Sequence, residues 1–312
     1  MNFPRGTLVG TRAPEFPAGL TWLNGEPLTL QGLQLAGRLT LIDFWTYSCI
    51  NCINTLPYLN QWHETYSDKG LSIIGVHTPE FEFEKEEANV HKAILEFGIK
   101  YPIVLDNTNL IWGAYANRVW PRKILIAPDN KIVYDHAGEG DYLETENKIS
   151  ELLKLELKPA PQIPEGTNSV CYRATPEVYL GYKRGYVSNF EGFFHDQSHN
   201  YDYNGEHELD MWYLQGHWIA GPEGVEYVGE PGKGQLIIQC AAFSINIVAG
   251  VAPGASPVMV KYSVDSEEKS FEVGAQKMYP LFKSQDFKEH TVKLMPQGKG
   301  LKFYALTFGG CD

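Results

Sequence analysis

Leu39-Thr40-Leu41-Ile42-Asp43-Phe44-Trp45-Thr46-Tyr47-Ser48-Cys49-Ile50-Asn51-Cys52 is the stretch whose reading decides the fold of the first half of the chain. Leu39 to Trp45 is a short apolar run of the buried-strand type. From Ile50 to Tyr66, the residues Ile53, Leu56, Leu59, Trp62 and Tyr66 recur at intervals of three and four, the spacing of one helical face. The two cysteines therefore stand just after a strand and at the first turn of a helix. There the first sulfur faces orphan N–H groups and the positive end of the helix dipole, a setting that favours thiolate, the nucleophile of disulfide exchange. Cys52, one turn on, is expected to be more buried and placed to attack a mixed disulfide formed on Cys49. The same spacing also serves as half a zinc site, and two reduced core cysteines are a third reading. A closed zinc site needs four ligands, and the sequence holds no second Cys-x-x-Cys. Redox chemistry is favoured, with no metal expected.

Outward from this stretch, strands and helices alternate. Leu71 to Val76 reads as a strand, Glu84 to Phe97 as a helix with Val90, Ile94 and Phe97 on one face, and Tyr101 to Leu105 as a third strand. Lys123 to Ala127 and Lys131 to His136 form a hairpin pattern across Pro128-Asp129-Asn130, and Leu143 to Leu155 closes the half as a helix. Such alternation implies parallel βαβ pairing with the antiparallel hairpin at one side. The acidic run Glu80, Glu82, Glu84, Glu86 and Glu87 reads as a solvated helix N-terminus, where carboxylates suit the dipole. His77, at a strand end, is either a substrate contact or a hydrogen-bonded structural histidine.

Pro159, Pro161 and Pro164 lie within six positions and favour extended geometry over helix, which places a linker at 156–164. Beyond it short β-rich segments follow, separated by Gly, Pro, Asp and Ser. They are Leu236 to Ile238, Phe243 to Val248, Val258 to Val264, Ser270 to Val273, Glu289 to Leu294 and Leu301 to Phe308. Their spacing suggests a β-sandwich of jelly-roll type. The expected organisation is an α/β redox domain over 1–155, the linker, and an all-β domain over 165–312. Tyr179, Tyr182, Tyr201, Tyr203, Trp212, Tyr213, Trp218 and Tyr227 crowd the start of the second half, and such rings either stack on sugars or fill a core.

Composition narrows the function classes. A formal net charge of −12 argues against nucleic acid as a partner, since phosphates are neutralised by clustered Lys and Arg. No window has the run of apolar residues needed to span a membrane, and the start of the chain shows no signal-peptide pattern. Five cysteines are too few for a disulfide scaffold. Cys171 and Cys311 pair only if the two ends of the second half meet, and Cys240 reads as a small buried hydrophobe.

Further features resemble the thioredoxin family. Leu41-Ile42-Asp43-Phe44-Trp45 is similar to that family's strand before the cysteines, with an acid six residues ahead of Cys49. Pro57 matches its helix-kinking proline, and Trp120-Pro121 its cis-proline segment. The segments Gly75 to Lys85 and Gly138 to Tyr142 resemble the TlpA-like redoxin branch. Together with Trp45 to Cys52 they are similar to the soluble, extracytoplasmic part of DipZ-type proteins, which also carry a carbohydrate-binding-module-like β domain at the C-terminus. Thr175 to Gly181 and Tyr304 to Gly309 fit that second domain. The resemblance implies a thiol-disulfide oxidoreductase outside the cytoplasm with no cofactor beyond a Cys49–Cys52 disulfide. Its implied partners are disulfide-bearing substrate proteins, a membrane or soluble thiol electron donor, and a possible carbohydrate on the β domain.

Roles follow from resemblance and residue chemistry together. A carboxylate within an apolar strand is costly unless paired, so burial should raise the pKa of Asp43 and suit it to accept the Cys52 proton. Pro121, if cis, would hold the Trp120 backbone beside the sulfurs, where a substrate strand could pair with it. Trp45, Trp120 and Pro121 are therefore the expected substrate-binding set, Trp45 packing beneath the site. Ile50-Asn51 adds no positive charge between the cysteines, so a reducing couple is expected. Thr46, three residues before Cys49, leaves open a peroxiredoxin-like thiol peroxidase, although Ile42 stands where that family has proline. A carbohydrate- or protein-binding module with an accessory redox domain is the non-enzymatic alternative.

Overall fold

The computed structural model describes residues 8–155, 171–205 and 207–311. The chain separates into two compact units, Met1–Glu165 and Gly166–Asp312. The expected linker, 156–164, lies outside the described residues.

In the first unit the strands are β1 (Trp22–Leu23), β2 (Leu39–Trp45), β3 (Leu71–His77), β4 (Ile103–Leu105), β5 (Arg122–Ile126) and β6 (Ile132–Ala137). The helices are α1 (Leu30–Leu35), α2 (Ile50–Tyr66), α3 (Glu87–Glu96), α4 (Leu110–Ala114) and α5 (Tyr142–Leu152). The sheet order is β1-β4-β3-β2-β5-β6. β2, β3 and β4 run parallel, while β5 is antiparallel to both β2 and β6, as the βαβ-plus-hairpin pattern implies. All seven residues of β2 are buried, which explains why it reads as a continuous apolar run rather than an alternation. α2 turns Cys52, Thr55, Leu56, Leu59, Trp62 and Tyr66 inward and accommodates Pro57 within its length.

The helix expected from Glu84 is split. A 3₁₀ turn covers Glu82–Lys85, Glu86 is extended at ψ 113°, and α3 starts only at Glu87. The break turns Phe83 and Glu84 into the protein, so the acidic run is not uniformly a solvated helix end: Glu82, Glu86 and Glu87 are exposed, but Glu84 is fully buried.

The second unit is all-β, with β7 (Val178–Tyr179), β8 (Ser198–Tyr201), β9 (Trp212–Ala220), β10 (Val225–Tyr227), β11 (Gln235–Val251), β12 (Val258–Val264), β13 (Glu267–Val273), β14 (Lys277–Pro296) and β15 (Leu301–Gly309). Every strand pairing in it is antiparallel. β11 organises the unit. Its first part pairs with β9 and its later part with β15, while β14 runs along its other edge. Register shifts between Ala242 and Asn246 mark bulges there. They invert the parity of the core face, which takes Leu236, Ile238, Cys240 and Ala242 before the bulge and Ile245, Ile247, Ala249 and Val251 after it. Hydrogen bonds thus join the strands into one bent sheet closed over a single core. Of the aromatic group near the start of the unit, Tyr201, Trp212, Trp218 and Tyr227 belong to that core and are withdrawn from any sugar platform. Cys171 and Cys311 face each other across an antiparallel bridge with Cα atoms 4.2 Å apart and form a disulfide. The ends of the second half therefore do meet.

Candidate active site

Cys49 is the N-cap residue of α2, half-exposed, and its carbonyl accepts the Ile53 N–H at 3.0 Å. Cys52, one turn further, is 1% exposed. Both are free thiols, as is buried Cys240. Burial first, then the hydrogen bond to Cys49 and the neighbouring charges of Cys49 and Asp43, push the Cys52 thiol well up; a backbone hydrogen bond from Thr46 opposes them. Access and reactivity are thus divided between an outer and an inner sulfur.

Asp43 lies on the fully buried β2 and is 1% exposed. Neither of its carboxyl oxygens has a hydrogen-bond partner among the described residues. Desolvation raises its pKa to about 7, against the lowering influence of the Lys123 charge. Opposite Asp43, β3 carries Gly75 and β5 carries Lys123. A side chain at Gly75 would collide with Ile103 Cδ1 and meet Trp45 Nε1 at 3.0 Å. The glycine thus makes room for the Trp45 ring.

Trp45 itself is 0% exposed and packs edge-to-face on His77, with ring centroids 5.2 Å apart. The Trp45 ring of the expected substrate-binding set is thus enclosed by the core. Trp120 is half-buried. Its Nε1 donates to the Thr78 carbonyl at 3.1 Å, and its ring lies 4.3 Å from that of Trp112. The Trp120-Pro121 peptide bond is cis. Arg122, next in the chain, makes a buried two-pronged ion pair with Asp135 at 2.8 and 2.7 Å and donates to the Tyr115 carbonyl at 3.0 Å. One guanidinium therefore ties β5 both to β6 and to the segment leading into Trp120.

Two buried groups at the site carry roles that the sequence did not disclose. Glu84 is 0% exposed, and its carboxyl accepts from Ser48 Oγ at 2.6 Å, Ser48 N at 3.3 Å, Glu80 N at 2.6 Å and Phe81 N at 3.1 Å. Burial and the Glu80 charge raise its pKa to about 7 despite these donors. It braces the residue immediately before Cys49 from a different loop. The sequence offered no signal for this: Phe81 and Phe83 both precede the position, and their alternation with Glu82 and Glu84 would turn Glu84 outward with Glu82. Lys123 is the other, since nothing in Arg122-Lys123-Ile124-Leu125-Ile126 marks a fully buried ammonium.

His77 is a structural histidine. It is fully buried and stacks on Tyr47 at 5.7 Å, with Nε2 3.4 Å from Thr46 Oγ1. Desolvation lowers its pKa to about 3. The Thr46 hydroxyl is thus shared between the imidazole and the Glu84 carboxyl. Among the described residues no cluster of His, Cys, Asp and Glu has the makings of a metal site.

Comparison with known proteins places both units. The family model of the redoxins matches residues 8–153, and that described as the thioredoxin-like C-terminal domain matches residues 175–309. Protein DipZ of Mycobacterium tuberculosis is 31% identical over 316 residues, covering 95% of this chain and 43% of that protein. This chain therefore spans less than half the length of that relative. The thiol-disulfide oxidoreductase ResA of Bacillus anthracis is 29% identical over 146 residues, covering 47% of this chain and 77% of that protein. Among solved structures, a putative thiol:disulfide interchange protein DsbE from Chlorobium tepidum covers 46% of this chain at 22% identity, with a TM-score of 0.42. By these matches the chain joins a redoxin domain to a thioredoxin-like C-terminal domain and is similar to protein DipZ over nearly its whole length.

Proposed function

We propose that the chain reduces protein disulfides, with Cys49 as nucleophile, Cys52 as resolving thiol and Asp43 as proton acceptor. The observation that carries this reading is the half-exposed Cys49 at the head of α2 with Cys52 enclosed behind it, beside the buried carboxyl of Asp43. The Cys49 thiolate attacks one sulfur of a substrate disulfide, forming a mixed disulfide and expelling the other sulfur as thiolate. Cys52 then gives its proton to the Asp43 carboxylate and attacks the Cys49 sulfur. The second substrate thiolate leaves, and the Cys49–Cys52 disulfide holds the oxidising equivalent. Two electrons have passed to the substrate, and a thiol donor must restore the dithiol. A buried acid with a pKa near 7 suits the task, since it is ionised often enough to accept the proton and basic enough to keep it.

The cis Trp120-Pro121 segment is the proposed contact for the substrate backbone, with Trp120 at its rim. An extracytoplasmic location is the matching proposal, supported by the Cys171–Cys311 disulfide, since such bonds persist in oxidising compartments. Among the described residues no helix is long and apolar enough to cross a membrane. The deciding experiment is trapping. Cys52→Ser should accumulate mixed disulfides through Cys49 and so identify the substrates, whereas Cys49→Ser should trap none and lose dithiol-dependent reduction. A Cys49→Ser protein with full reductase activity would overturn the assignment.

A further inference from the structure

Glu84 takes no part in the chemistry above, yet its carboxyl is fully withdrawn from water. Such burial is costly unless donors surround the charge, and a buried network whose members are satisfied rigidifies what it joins. The two oxygens of Glu84 serve different segments. Oε2 accepts from Glu80 N and Phe81 N in its own loop, whereas Oε1 accepts both Ser48 N and Ser48 Oγ from the turn between β2 and α2. The same loop meets that turn again where Tyr47 Oη donates to the Phe83 carbonyl at 3.4 Å. The loop is itself tied down, because Asn89 Nδ2 donates to the Phe83 carbonyl at 3.0 Å and Asn107 Nδ2 to the Lys85 carbonyl at 2.9 Å. Ser48 is thus pinned by main chain and side chain to one fixed oxygen. Cys49 comes next, and its side chain makes no capping bond at the head of α2. Its backbone, at φ −85° and ψ 117°, therefore sets where the sulfur stands relative to the orphan N–H groups of the first turn.

We propose that Glu84 is a positioning residue for the nucleophile, which acts through Ser48 to hold the turn into α2 so that the Cys49 sulfur stays at the head of the helix. The proposal rests on the reading of Cys49 as the attacking thiol. A buried carboxylate also carries charge, and charge and brace would act on the attack in opposite directions. Negative charge near Cys49 opposes thiolate, so a role through charge makes the attack faster once the charge is removed. A role through bracing makes it slower, since in Glu84→Gln the amide keeps the size of the side chain but sets its –NH₂ against one of the two donor groups.

The test uses dithiobis(nitrobenzoate) with the reduced full chain under single-turnover conditions at pH 8, where the Glu84 carboxyl is ionised. Attack by the Cys49 thiolate forms a mixed disulfide and releases one nitrothiobenzoate. Attack by Cys52 on the Cys49 sulfur releases the second and leaves the Cys49–Cys52 disulfide. Glu84→Gln should slow the first phase roughly tenfold, the scale of a displaced reacting group. The second phase should change less than about threefold, because Thr46, whose N–H bonds the Cys52 sulfur, has its own anchor on His77. Ser48→Ala removes one donor and keeps the carboxylate, so it should slow the first phase about threefold, and less than that in a Glu84→Gln background. A Glu84→Gln protein whose first phase is unchanged or faster would overturn the proposal. So would equal slowing of both phases, which marks a general loosening of the fold. If Glu84→Gln does not fold, Ser48→Ala decides alone, and an unchanged first phase there overturns the proposal. Wild type lacking either phase would instead count against the function proposed for the cysteines.

Discussion

Asp43 and Glu84 are carboxyls held out of water, and their burial has opposite structural meanings. Asp43 lacks hydrogen-bond partners among the described residues, so its burial is a pure cost. Its folded-state pKa is raised from 3.8 to about 7. Between those values the folded protein keeps a proton that the unfolded chain has lost, so stability falls as pH rises through the window. Asn at this position pays no such penalty. Asp43→Asn should therefore gain stability over wild type progressively from about pH 4 to about pH 7 and hold the gain above it, at roughly 1–3 kcal/mol with Lys123 left unpaired. Urea unfolding of the reduced proteins at several pH values measures this, and a gain independent of pH would contradict the argument. Glu84 is the reverse case, with donors at both oxygens. In Glu84→Gln the amide –NH₂ must face Ser48 or the Glu80 and Phe81 N–H groups, donor against donor. A loss of about 1–3 kcal/mol in urea unfolding is expected, and an unchanged stability would contradict this bracing role.

The site at the level of elements is a junction of β2, β3, β5 and the head of α2. β2 and α2 were legible because burial on both faces gives a continuous apolar run and a one-sided helix gives three-and-four spacing. The broken helix at Glu86 was not, since the run of acids suits a helix N-terminus and only the tertiary demand for Phe83 and Glu84 inside splits it. Two junctions make predictions. Gly75→Ala puts a methyl group against Ile103 and Trp45; the Ile103 terminus can shift, but the enclosed indole cannot move freely. A destabilisation of about 1–3 kcal/mol is expected in urea unfolding. Asp135→Ala strips the buried Arg122 guanidinium of its counter-ion, so a loss of about 3–5 kcal/mol is expected by the same measurement. If Asp135→Ala is nearly neutral, the ion pair is not what fastens β5 to β6.

Across the whole molecule, the Cys171–Cys311 bond closes 140 residues of chain and fastens the two ends of the second unit. Cross-linking so long a loop restricts the unfolded chain, and its removal in Cys171→Ser/Cys311→Ser should cost about 2–5 kcal/mol. Hydrogen exchange at the β11 amides reads this unit directly, and unchanged protection there would show that the bond is dispensable. The second unit was also the less legible half. Its all-β character was visible in short β-branched segments, but β8, β9 and β10 were hidden among aromatic residues whose core role depends on what packs against them. The sequence by itself determined the redox motif, the βαβ alternation around it and the division into two textures, because each is written in local spacing that any fold must respect. Only the tertiary structure decided that Trp45 is enclosed, that Glu84 braces Ser48, that Cys171 meets Cys311, and that Lys123 faces Asp43. Those relations join residues far apart in the chain, and desolvation, which gives the charged ones their chemistry, exists only once the core has closed around them.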